Sequence, residues 1–146
     1  MKKITLIGVI TLFITSFLSC SNDDGDSKNT SYYGKWELSR MAGNGFILAV
    51  YSIGQPQWKE TYDFKKDNTF IKTKVQNETT ITASGTFSVV TIQNRPHLQL
   101  TYTNPSEIVG SCKGNQSEEL VVNEAGTLNS TWQNCDGPSL EYKKVK

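Results

Sequence analysis

The chain has 146 residues, which suits one domain with a single core. Its 15 Lys and Arg nearly balance its 14 Asp and Glu. With no basic stripe it lacks the electrostatic footprint of a nucleic-acid binder. It has one His, His97, and no CxxC or HxxxH spacing, so nothing in the sequence points to a metal or another cofactor.

Lys2 and Lys3 make a positive start, and Ile4 to Phe17 is uncharged and mostly apolar. That run is long enough for the h-region of a secretory signal and too short to cross a bilayer comfortably. No later segment is apolar enough to span one. Residues 1–19 are read as a signal peptide. The run ends Phe17-Leu18-Ser19-Cys20, which resembles the lipobox of bacterial lipoproteins, with Phe17 where Leu is commoner. In that family the cysteine receives a diacylglyceryl group and becomes the acylated N-terminus after cleavage. The resemblance implies lipid attachment at Cys20 and a membrane as partner. The alternative is a plain signal cut nearby, leaving Cys20 free or disulfide-bonded. Ser21 to Thr30 is polar and small, too poor in apolar surface to order itself. Residues 20–31 thus read as a lipidated, flexible, acidic tether. Asp23, Asp24 and Asp26 directly after the cysteine resemble the surface-export signal of Bacteroidetes-type lipoproteins. That implies an outer-membrane lipoprotein on the cell surface, with the periplasmic face as the alternative.

Residues 32–146 form the domain and read as β-structure throughout, with Thr, Val, Ile, Tyr and Phe in short runs between Gly, Asn and Asp. Gly34 to Arg40 is the first strand, with Trp36 and Leu38 on one face. The apolar run 46–51 could be a strand, a short helix or a lid, since periodicity cannot separate these in so short a stretch. Trp58, Glu60, Tyr62 and Phe64 alternate with Lys59, Thr61, Asp63 and Lys65; Lys66-Asp67-Asn68 then turns the chain into Thr69 to Val75. Thr79 to Val90 follows, and Gly85 inside it predicts a bulge or a bend. Thr91 to Pro96 is read as a link to His97–Thr103. Segments around Ile108 to Cys112, Glu118–Asn123, Thr127–Gln133 and Leu140–Val145 continue the pattern. Eight to ten sequential strands close most simply as a small up-and-down antiparallel barrel, which removes exposed edges; a β-sandwich is the alternative.

Cys112 and Cys135 are the only cysteines of the exported domain, and in an oxidising compartment a disulfide between them is the default. In the chain-entropy model it contributes roughly 3–4 kcal/mol.

Gly34-Lys35-Trp36 resembles the Gly-x-Trp motif that opens the first strand of lipocalins, where the Trp plugs the closed end of an eight-stranded barrel. Tyr62 to Phe70, followed by Gly85-Thr86-Phe87, is similar to the lipocalin-like domain lipoproteins of Bacteroidetes. Cys135 before the Glu141-Tyr142-Lys143-Lys144 strand also recurs there. No Thr-Asp-Tyr element or C-terminal helix is visible, and the arginine that packs across the tryptophan has at best a Lys here. The resemblance spans roughly residues 32–145 and implies a lipocalin-like barrel of about eight strands.

Barrels of this size either fill their interior with side chains or hold one small ligand. The expected function is a lipoprotein whose barrel binds a small, largely apolar molecule. Trp36, Tyr62, Phe64, Phe87, Leu98, Leu100 and Tyr102 form the cavity lining or simply the core. A second reading is a protein-interaction or inhibitor module acting through the loops near Cys112 and Cys135. A third is glycan binding, with Trp58 and Trp132 stacking on a sugar ring. An enzyme is not expected: His97 stands alone, no nucleophile-elbow motif occurs, and Glu118 and Glu119 point to opposite faces of a strand.

Overall fold

The computed structural model describes residues 32–43 and 56–146. The signal peptide, Cys20, the tether and the 46–51 run lie outside the described residues. The described chain forms eight antiparallel strands: β1 (Gly34–Ala42), β2 (Lys59–Phe64), β3 (Thr69–Gln76), β4 (Thr79–Ile92), β5 (Arg95–Tyr102), β6 (Ser117–Val122), β7 (Leu128–Ser130) and β8 (Ser139–Lys144). Each pairs with its neighbour in sequence, and β8 pairs back onto β1, so the sheet closes into an up-and-down barrel. Closure leaves no second sheet and rules out the sandwich.

The inward faces follow from period-2 alternation. Trp36 and Leu38 of β1, Tyr62 and Phe64 of β2, and Leu98, Leu100 and Tyr102 of β5 are all buried, while their sequence neighbours face out or lie between. In β1 a register shift between Leu38 and Arg40 turns Arg40 outward and Met41 inward. The bulge therefore falls here and not at Gly85, where both ladders run on without a shift. Gly85 is needed for a close approach instead: a Cβ would stand 1.9 Å from the carbonyl oxygen of Thr101. Gly85→Ala should cost about 2 kcal/mol, as for an overpacked core. The readout is a lower urea midpoint at unchanged slope; an unchanged midpoint would show that β5 yields freely.

One connection is tighter than the sequence implied. Thr91↔Pro96 and Ile92↔Arg95 are paired, so the expected link is a two-residue hairpin turn at Gln93 and Asn94. Both have positive φ, 50° and 61°, as do Asn77 and Glu78 at the β3–β4 turn, 49° and 64°. Paired left-handed residues twist a hairpin in the sense its strands already follow. Two segments are less regular than expected. Residues 108–112 form no strand and lie in the β5–β6 connection, because the Gly110 N–H donates to a buried carboxylate instead of a ladder. Only Leu128–Ser130 of the 127–133 segment is strand. A 3-10 turn at Trp132–Cys135 follows, ended by Asp136 in the left-handed region at φ 72°.

The two ends of the barrel differ. The start of β1, the 65–68, 93–94 and 123–127 turns and the end of β8 share one end, which Trp36 plugs. Trp36 is fully buried, its indole N–H donates to the Tyr32 carbonyl at 2.9 Å, and the Lys144 ammonium lies 5.9 Å from its ring. The opposite end, the mouth, carries the β3–β4 turn and the long β1–β2, β5–β6 and β7–β8 connections.

Candidate functional site: the polar tier and the mouth

The barrel interior has two tiers. Toward the plugged end it is aromatic and aliphatic. Phe64 meets Phe87 edge-on at 4.9 Å between ring centres, and Phe70 meets Tyr102 likewise at 4.9 Å. The seven residues singled out from the sequence are all here or on the tier boundary, packed in one core with Phe70, Leu120, Leu128, Leu140 and Tyr142. They are brought together, but against one another. Each such ring removes a large apolar area from water, which is what a domain of this size needs to offset ordering entropy.

Toward the mouth the same inward rows turn polar. Glu60 follows the face of Tyr62 and Phe64 on β2, Lys72 follows Phe70 on β3, and Glu118 precedes Leu120 on β6; all three are buried. The Lys72 ammonium lies 3.0 Å from Glu60 Oε1 and 3.1 Å from Glu118 Oε1. Three tyrosines complete the network. Tyr62 and Tyr102 donate to Glu118 Oε2 at 2.8 and 2.5 Å, and Tyr142 donates to Glu60 Oε1 at 2.6 Å. The Trp58 indole N–H donates to Glu60 Oε2 at 2.8 Å, and the Gly110 N–H to Glu118 Oε1 at 3.2 Å. No buried side-chain polar atom among the described residues lacks a partner.

The electrostatics follow from burial. Loss of water alone would push the Lys72 ammonium down, but the carboxylates of Glu118 and Glu60 outweigh it and hold its pKa above the ordinary value. Burial first, and then Glu118, push Tyr62 and Tyr102 up; burial and then Glu60 do the same for Tyr142. Lys72 is thus a charged clamp between two acids, and the tyrosines are neutral donors.

The mouth has room beside this network. A depression of about 290 Å³ is lined by Lys74, Gln76, Thr79 and Ile81 of the β3–β4 hairpin, with Glu107 and Ile108 of the β5–β6 connection. The volume sits at the lower edge of small-molecule sites. The Lys74 ammonium lies 4.0 Å over the Trp58 ring. Cys112 and Cys135 form a disulfide that ties the β5–β6 connection to the β7–β8 connection. Trp132 fills the space beside it: a Cβ on Gly110 or on Gly137 would stand 2.6 or 2.3 Å from its ring.

Other singled-out residues lie elsewhere. Glu118 and Glu119 do face opposite sides. Glu119 is on the outer wall with His97 Nδ1 at 2.8 Å and Lys113 Nζ at 3.4 Å. Partial burial opposes it, but these two partners hold Glu119 below the usual carboxylate range. Trp58 and Trp132 are half-buried with ring surface already covered, so neither offers an open platform for a sugar. Among the described residues there is no group of three or more His, Cys, Asp or Glu placed to hold a metal ion, and no helix long and apolar enough to cross a membrane. The sequence reading missed Glu60, Lys72 and Glu118 as a unit, although a charge on the apolar face of three separate strands was the available signal.

No family model matches the chain, and no curated protein matches it either.

Proposed function

We propose that the protein is an exported, lipid-anchored, non-enzymatic binding protein that holds one small molecule at the mouth of its barrel. The observation that carries this reading is the depression between the β3–β4 hairpin and Ile108. Ile81 and Ile108 give the ligand an apolar contact, while Lys74, Gln76 and Thr79 give it hydrogen-bond partners. The lining therefore favours a molecule with an apolar body and a polar edge over a wholly apolar one. A non-catalytic role is supported by the network below, where Glu60, Lys72 and Glu118 direct their polar atoms at one another and at tyrosines. The anchor at Cys20 rests on the Leu-Ser-Cys ending of the signal segment.

Native mass spectrometry beside denaturing mass spectrometry tests the reading on protein purified from its source cells. We expect an extra mass released on unfolding, and its loss in an Ile81→Trp variant that fills the depression while keeping the barrel's circular dichroism. Equal bare masses for both proteins, before and after incubation with the cells' small-molecule extract, would sink it. A second reading has its own support. The disulfide-tied mouth connections expose Cys112 to Gln116 and Gln133 to Asp136, a rigid surface suited to a protein partner.

A further inference from the structure

We propose that the plugged end of the barrel is a docking surface for an anionic lipid bilayer. Large hydrophobic side chains are exposed at four described positions: Tyr33 at 37%, Val89 at 43%, Ile92 at 37% and Val145 at 43%. They are far apart in sequence, yet the barrel brings all four to one end. Tyr33 precedes β1, Val89 and Ile92 lie on the part of β4 that runs into the 93–94 turn, and Val145 follows β8. Val145 is fixed beside the start of β1, where its N–H donates to the Lys35 carbonyl at 2.8 Å.

The same end is basic. Lys35 on β1, Lys65 and Lys66 in the 65–68 turn, Arg95 beside the 93–94 turn, and Lys143 and Lys146 at the end of β8 are all exposed. Facing them are Glu37, Asp63, Asp67 and Glu124, and Asp67 spends one carboxylate oxygen on Thr69. The mouth is different. There Lys59, Lys74, Lys113 and Arg40 are balanced by Glu78, Glu107, Glu119, Asp136 and Glu141. Net positive charge thus coincides with the exposed apolar residues. Basic side chains attract anionic headgroups and fall within their reach only near the surface. Apolar side chains at the rim enter the headgroup boundary.

The occupant is argued from one more fact. Tyr32 lies at this end, so the chain that leads back to Cys20 leaves the barrel here. The inference rests on the anchored reading for which membrane is met, but the surface chemistry stands without it. Alone, such a surface binds reversibly; joined to a lipid it would set the barrel upright with its mouth away from the bilayer.

The test uses the chain from Ser21 to Lys146, which keeps every described residue and lacks Cys20. It is sedimented with vesicles of phosphatidylcholine, with and without phosphatidylglycerol, at low and high salt. We expect binding only to the anionic vesicles and its loss in high salt. Lys65→Glu with Lys66→Glu and Arg95→Glu should weaken it about a hundredfold. Val89→Ser with Ile92→Ser should weaken it without changing the salt dependence. Lys59→Glu with Lys113→Glu, at the mouth, should leave it unchanged, and near-UV circular dichroism checks each variant for its fold. Equal binding to neutral vesicles, equal loss in the mouth variant, or no binding at low salt would overturn the proposal. Binding that appears only when the chain starts at Asn29 would also overturn it, since Asp23, Asp24 and Asp26 would then be the natural occupants. Lipidation is read separately, from the mass of the Cys20 peptide in exported protein, so its failure is not confused with failure of the surface.

Discussion

Lys72→Met should destabilise the barrel by about 4 kcal/mol at neutral pH. The substitution keeps the volume and removes the one ammonium between Glu60 and Glu118, whose carboxylates then face each other in the barrel interior. Breaking a buried ion pair by deleting one partner leaves an uncompensated charge, and that penalty is typically about 3–5 kcal/mol. Here two are left. Against this, Met regains some packing around Tyr62, whose ring centre lies 5.0 Å from the ammonium. A rescue separates charge from packing. Lys72→Met with Glu60→Gln and Glu118→Gln keeps the shape and abolishes the repulsion, so it should recover most of the loss. Chemical denaturation at pH 7 measures all three proteins. A cost below about 1 kcal/mol for Lys72→Met would show that water reaches the network and screens it.

Alkaline solution should unfold the protein abruptly. Tyr62, Tyr102, Tyr142 and Lys72 all have pKa values raised in the folded state, so the folded protein holds these protons more tightly than the unfolded chain. The sign follows from linkage: their contribution is complete below the unfolded values, near 10 for Tyr and 10.4 for Lys, and falls as pH rises toward the folded ones. Each group lowers stability by about 1.4 kcal/mol per pH unit in that window, so four together give about 5.5 kcal/mol per unit. A domain holding about 5–15 kcal/mol is exhausted within a few units. The expected observation is a sharp step above pH 10 in which far-UV circular dichroism is lost as the phenolate absorbance of Tyr62, Tyr102 and Tyr142 appears together. Ionisation of all six tyrosines of the chain in a barrel that keeps its circular dichroism would contradict the burial of these three hydroxyls.

The strands were legible because Trp36, Tyr62, Phe64, Leu98 and Leu100 each stand two residues from another inward side chain, and a period of two needs no knowledge of the partner strand. The closed barrel followed from short connections between such strands. The polar tier was half legible. Alternation places Glu60 with Tyr62 and Glu118 apart from Glu119, but nothing local says that Lys72 meets Glu118, 46 residues away. Such pairing is a property of the closed sheet. The mouth depression was not legible at all, because it depends on Ile108 folding inward from a segment whose composition reads as strand. Gly85 shows the same limit. Its presence signalled something special about β4, while the nature of it, an approach to the Thr101 carbonyl, belongs to the neighbouring strand.

A hoop of eight staves is only as tight as its shortest. β7 meets β6 at Leu128, Asn129 and Ser130 and meets β8 at Leu128 and Asn129, far fewer pairings than its neighbours make. Any breathing of the wall starts there, since few backbone hydrogen bonds must break together. The Cys112–Cys135 bridge runs from the approach to β6 to the far side of β7 and so straps across that stave. It limits how far the gap can widen. The covalent bond thus guards the one place where a closed cylinder could become an open sheet with two sticky edges.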